Sequence, residues 1–123
     1  MATEKTKRFT KRSLPPHVRL AVEACLSRKA EGLCVLDLRE LSSFTDFFLI
    51  GHGNSSRQNS AIAEAVEAAL KPAGYRALSV EGRESSEWVL LDYGSLVVHV
   101  FSRAARDHYG LEALWGDAPR LDF

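Results

Sequence analysis

The chain lacks the features that mark secreted or membrane-anchored proteins. It has two cysteines among its 123 residues, and its formal charges cancel to zero. No apolar run approaches the roughly 20 residues of a membrane-spanning helix, and the start, MATEKTKRFTKRS, lacks the apolar centre of a secretory signal. We therefore expect a cytoplasmic protein without a membrane anchor, with Cys25 and Cys34 as buried free thiols.

The net charge of zero conceals an uneven distribution. Residues 1–12 have a balance of +4 and residues 13–123 a balance of −4. Because the first segment shows no apolar periodicity, we predict a flexible basic tail over 1–12 and one domain over 13–123. A basic tail can contact phosphate, so RNA binding through the tail is one alternative. The acidic domain argues against a nucleic-acid-binding fold and suits a basic protein partner.

The pattern of apolar residues predicts three helices, within residues 13–32, 54–74 and 106–116. The second is the clearest, because Ser55 and Gln58 form a capping-box pattern and an apolar stripe follows. Strands are predicted at 33–38, 46–51 and 75–80 and in two further segments that form a hairpin. A short connection makes the first two strands antiparallel neighbours. We therefore predict an α/β domain with a mixed, about five-stranded sheet flanked by helices.

The hairpin lies in SSEWVLLDYGSLVVHVF, residues 85–101. Glycine in the first position of the Gly94–Ser95 turn suits a two-residue hairpin loop, and that turn fixes the register. One face is then apolar throughout and belongs to the core. The other face is either covered by a helix of the same chain or open to a partner. Its residues pair as Trp88 with Phe101, Leu90 with His99, and Asp92 with Val97.

Signals for catalysis are weak. A nucleotidyltransferase needs two metal-binding acids one residue apart on a strand, and no predicted strand has them. The histidines and cysteines show no metal-ligand spacing. Asp92 and His99 are close enough to support a nucleophile, but none is placed beside them. We predict no catalytic residue, no metal and no cofactor. The alternative is a nucleotide-binding protein or nucleotidyltransferase-like enzyme that uses the glycine-rich turn at 51–57, which is otherwise a capped strand–helix turn.

Three blocks of the sequence carry a family resemblance. They are TDFFLIGHGNSSRQNSAIAEAV, EGRESSEWVLLDYGSLVVHVF and RDHYGLEALWGDAP. In this order they resemble the Iojap family, the bacterial and organellar ribosomal silencing factors, from about Gly32 to Pro119. The resemblance implies a fold related in shape to nucleotidyltransferases but without their active site. It also singles out the terminal motif Arg106, Tyr109, Leu111, Glu112, Leu114 and Trp115.

The resemblance further implies a function that is not enzymatic. Members bind the large ribosomal subunit at its ribosomal protein fourteen, block joining with the small subunit and repress translation under nutrient limitation. We accordingly expect the second face of the hairpin to be the partner-binding surface, formed by Trp88, Leu90, Asp92, His99 and Phe101. The basic tail would add a minor contact with ribosomal RNA. The oligomeric state stays open, a homodimer of the free protein being one alternative.

Overall fold

The fold is a mixed sheet between two helical layers. The computed structural model describes residues 9–123. It contains, in chain order, α1 (Pro16–Ser27), β1 (Glu31–Asp37), β2 (Phe47–Gly53), α2 (Ser56–Leu70), β3 (Ser79–Glu81), β4 (Trp88–Asp92), β5 (Leu96–Ser102), α3 (Arg103–Tyr109), α4 (Leu111–Leu114) and β6 (Arg120–Asp122).

The sheet has six strands in the order β3-β4-β5-β2-β1-β6. The central pair, β2 and β5, is parallel, and the other neighbours are antiparallel. The predicted mixed α/β sheet is confirmed, including the antiparallel pairing of its first two strands. The predicted number of about five strands is one too few. The missed strand, β6, has three residues at the sheet edge and therefore shows no periodicity that could reveal it.

The predicted register of the β4–β5 hairpin is confirmed. Trp88 lies opposite Phe101, Leu90 opposite His99, and Asp92 opposite Val97. Gly94 has φ +85°, which an L-residue with a side chain rarely adopts, so glycine here supports the tight turn.

The first face of the sheet is covered by α1 and α2. Two prolines precede or start α1, where the missing amide hydrogens cost no helical bond. The Ser55 hydroxyl caps α2 by accepting the Gln58 amide at 3.1 Å. Both helices bury their apolar stripes on this face. This main core contains Val18, Val22, Val35, Leu49, Ile62, Val66, Leu70, Leu91, Val98 and Val100.

The second face is covered by the segment that follows β5. The helix predicted over 106–116 is divided into α3 and α4 at Gly110, which has φ +60°. These two short helices close a smaller core, so a helix of the same chain covers much of the hairpin's second face. This second core contains Cys34, Leu36, Leu38, Phe48, Ile50, Val97, Phe101, Ala105 and Ala118.

The predicted tail requires a correction at its end. Residues 1–8 lie outside the described part of the chain. Phe9 is 8% exposed and belongs to the main core, where its ring stacks 6.2 Å from that of Phe47. Residues Lys11–Ser13 form a short 3-10 turn capped by Thr10. Phe9 is therefore packed, whereas Thr10, Lys11 and Arg12 are exposed. One phenylalanine in a basic run did not reveal this.

Candidate partner-binding surface

The structure separates the five residues predicted to bind a partner. Trp88, Leu90 and Asp92, all on β4, are partly exposed. His99 is 3% exposed because the rings of Trp88 and Phe48 lie against it, and Phe101 is fully buried in the second core with Ala105 of α3. His99 and Phe101 therefore do not lie on the accessible surface. The predicted surface is corrected accordingly to its β4 residues.

Aromatic rings extend the surface beyond β4. The Trp88 ring centroid lies 4.9 Å from that of Phe101 beneath it and 4.6 Å from that of Tyr109 in α3. Tyr109 is 53% exposed, and Leu114 in α4 is 73% exposed. The terminal segment thus covers the buried half of the hairpin face and adds exposed apolar side chains of its own.

A second group of rings lies over the same core. Trp115, partly exposed, contacts Phe48 and Phe44 at centroid distances of 6.1 and 6.3 Å. Phe44, in the loop between β1 and β2, is 63% exposed. We use the term aromatic face for the partly exposed apolar residues packed against the second core, the exposed rings that contact them and the exposed leucine of α4, namely Trp88, Leu90, Leu111, Trp115, Phe44, Tyr109 and Leu114.

A partly buried cluster of charged side chains ties the terminal segment to the sheet. Arg106, 9% exposed, donates two hydrogen bonds to Glu112, at 2.7 and 3.0 Å. These hydrogen bonds are the main cause that lowers the pKa of Glu112. Arg106 also contacts His52 Nδ1 at 2.9 Å, and Arg120 of β6 donates to Glu112 at 2.8 Å. Two residues of the terminal motif, Arg106 and Glu112, thus position the others.

His99 lies directly beneath the aromatic face. Its Nδ1 accepts a hydrogen bond from Trp88 Nε1 at 3.1 Å. Burial lowers the pKa of His99 to about 3, so the imidazole is neutral at physiological pH. Asp92 instead accepts the Gly94 amide at 2.8 Å. The structure therefore does not join Asp92 and His99 in a catalytic pair.

The glycine-rich turn at 51–57 makes hydrogen bonds to other parts of the same chain. Gly51–Gly53 end strand β2, and Ser55 caps α2, as expected of a capped strand–helix turn. Gln58 accepts the Asn54 amide at 2.7 Å and donates to the carbonyl oxygens of Arg28 and Lys29 at 3.1 and 3.0 Å. The turn is thereby tied to the end of α1.

Residues 9–123 contain neither a cluster that could hold a metal ion nor a membrane-spanning helix. Within this range, no cluster of three or more histidine, cysteine or acidic side chains could hold a metal ion. No helix in the same range is long and apolar enough to cross a membrane. Both cysteines are free and buried, as predicted.

Comparison with known proteins identifies the family. A sequence model described as "Ribosomal silencing factor during starvation" matches residues 11–123. The chain belongs to the ribosomal silencing factor family. This family is regulatory and not enzymatic, which confirms the prediction drawn from the three sequence blocks. The match starts well before Gly32, where the resemblance was placed, and includes α1.

Members of the family cover most of this chain. The ribosomal silencing factor of Halalkalibacterium halodurans is 44% identical over 105 residues, which are 85% of this chain and 90% of the relative. A crystal structure from Chromobacterium violaceum has a TM-score of 0.80 at 43% identity and covers 81% of this chain and 83% of its own. A mouse protein named for mitochondrial assembly of the ribosomal large subunit is 29% identical, over 78% of this chain and 43% of that protein.

Proposed function

We propose that this silencing factor acts in the cytoplasm by binding the large ribosomal subunit through ribosomal protein fourteen. There it blocks joining of the small subunit and represses translation under nutrient limitation. The aromatic face is the observation that carries this proposal. Its exposed apolar side chains lie on a rigid support, the second core and the Arg106–Glu112 pair. Aromatic anchors with polar surroundings are typical of protein interfaces.

The charges around the aromatic face support a basic partner. Asp92 is partly exposed on β4, and the exposed Glu81 lines a cavity together with Trp88 and Leu90. The domain from residue 13 onward has a balance of −4. Acidic side chains around an apolar centre attract a basic protein. They also repel the phosphates of the ribosomal RNA that surrounds such a protein. A ribosomal protein fits this description better than ribosomal RNA does.

The size of the domain supports a steric mechanism. A folded domain of about 100 residues has a radius of gyration of about 13 Å. A body of this size at the joining surface keeps apart the two subunits, whose contacts need separations of a few ångströms. The family description names starvation, and the mouse relative's name refers to the large subunit. Both agree with a role at that subunit when nutrients are scarce.

Sedimentation with isolated subunits tests the proposal directly. The protein should co-sediment with large subunits and not with small ones, and it should reduce the formation of whole ribosomes from the two. Large subunits that lack protein fourteen should bind much more weakly. Equal binding to both subunits would contradict the proposal, as would unimpaired joining at saturating protein.

Two leucines of equal exposure provide a matched control. Leu114, 73% exposed, lies on the aromatic face, whereas Leu78, 75% exposed, precedes β3 outside it. Leu114→Ala should weaken binding to the large subunit several-fold, and Leu78→Ala should leave it unchanged. Both variants should fold normally, because neither side chain is buried. Equal effects of the two substitutions would exclude the aromatic face as the binding surface.

Two additional contacts complete the proposal. The basic residues that precede Phe9 add a minor contact with ribosomal RNA, so deletion of residues 2–8 should weaken binding more at low salt than at high salt. When the protein is free in solution, two copies of the chain associate through the aromatic face. Analytical ultracentrifugation with and without the Leu114→Ala substitution measures that association.

A further inference from the structure

We propose that His99 is a positioning residue of the aromatic face, which accepts the Trp88 indole N–H and thereby fixes the plane of the indole that the partner meets. This role differs from the direct contact that the sequence predicts for His99, because the side chain is buried. Its effect on binding rests on the function proposed above, whereas its effect on the indole does not.

The imidazole is held in place from several sides. His99 lies opposite Leu90 in the β4–β5 register, which makes Trp88 its diagonal neighbour. Its ring contacts the Phe48 ring edge-on at a centroid distance of 4.4 Å and lies parallel to the Phe101 ring at 6.0 Å. The acceptor atom therefore has a defined position below the surface.

The protonation of His99 fits an acceptor role. Since Nδ1 accepts the indole N–H, the proton of the neutral ring is on Nε2. Burial holds the pKa of His99 far below its usual value, so that Nδ1 stays free to accept. A protonated ring would place an N–H donor against the indole N–H and lose this bond.

The other ring nitrogen indicates that His99 is not optimised for stability. Nε2 is buried and has no hydrogen-bond partner within residues 9–123. An unpaired buried donor is unfavourable, and an apolar side chain of similar size would avoid it. Residues that break such a rule are expected at functional sites. The hydrogen bond to Trp88 explains why histidine, and not an apolar residue, occupies this position.

A fixed indole favours binding because less freedom is lost in the complex. The Trp88 ring contacts the rings of Phe101 and Tyr109, but ring contacts alone allow the indole to slide or turn over. Immobilising one large side chain before binding is worth a factor of roughly two to twelve in affinity. His99 thus contributes to binding without contacting the partner.

A double-mutant cycle tests this role. His99→Leu removes the acceptor, and Trp88→Phe removes the N–H donor. In the wild-type background His99→Leu should weaken binding to large subunits about three- to tenfold. In the Trp88→Phe background the same change should have less than about a twofold effect. His99→Asn, whose side-chain oxygen can replace Nδ1, should restore most of the affinity.

A measurement on the free protein separates this inference from the proposed function. The indole N–H of Trp88 should exchange slowly with solvent by NMR in the wild type and quickly in His99→Leu, with the Trp115 indole as internal reference. If the wild type fails to bind large subunits, the proposed function fails and the exchange experiment still decides the positioning role. If His99→Leu does not fold, His99→Gln, whose amide lies nearer the Nε2 position, replaces it. Equal binding losses in both backgrounds, or unchanged indole exchange, would overturn the inference.

Discussion

Mild acid should destabilise the protein mainly through His99. The pKa of this residue is lowered to about 3 by burial in the folded state, whereas an unfolded histidine titrates near pH 6.5. Between these values the unfolded chain binds a proton that the folded chain does not. The free energy of unfolding is therefore highest above about pH 6.5, where His99 is neutral in both states, and it decreases as the pH falls toward 3. Each pH unit below 6.5 costs about 1.4 kcal/mol, so about 2 kcal/mol should be lost by pH 5.

Urea denaturation followed by circular dichroism at pH 7, 6 and 5 measures this dependence. His99→Asn should flatten most of the slope, because the replacement does not titrate. Burial also lowers the pKa values of His17 and His52, which leaves a smaller slope of the same sign. Keeping the pH at 5 or above avoids most carboxylate titration. An equal loss of stability in wild type and His99→Asn would refute the argument, since His99 would then not be the proton-binding group.

Three other substitutions probe the packing by denaturation. Phe9→Ala should lower the free energy of unfolding by about 3 kcal/mol, because Phe9 is buried in the main core. A change near zero would show that Phe9 belongs to the flexible tail. Glu112→Gln should cost about 3 kcal/mol by removing the carboxylate that balances the buried charge of Arg106, whereas Asp122→Asn, at a side chain 71% exposed, should cost less than about 1 kcal/mol. Gly82→Ala should cost more than Gly74→Ala, because both have positive φ but only the first would place a Cβ 1.9 Å from a main-chain oxygen of β4.

The hairpin was predictable because its determinants are local. A glycine at the turn and alternating side chains on each arm specify the pairs of residues, and the structure has them all. The same holds for the N-cap of α2, where Ser55 and Gln58 are three residues apart. Family membership was also predictable, since three separated blocks carried the resemblance.

Whether the hairpin's second face is buried or exposed depends on distant parts of the chain. Phe101 is buried in a core to which α3 and α4 contribute, and His99 is buried by the rings of Phe48 and Trp88, whereas no local pattern in β5 states which side chains will cover it. The Arg106–Glu112 pair forms because Gly110 turns the chain between two helices. Exposure therefore could not be derived from the strand alone, and neither could the division of the terminal motif into anchoring and exposed residues.

The position of β6 couples the edge of the sheet to the second core beneath the aromatic face. The Pro119 carbonyl accepts the Asp37 amide at 2.9 Å, and the Phe123 amide donates to the Leu33 carbonyl at the same distance. Ala118 and Arg120 complete the second core and the ion-pair cluster. Loss of β6 from the edge of the sheet would leave both the second core and the ion-pair cluster incomplete. The sheet edge and the support of the aromatic face should therefore open together, as one cooperative unit.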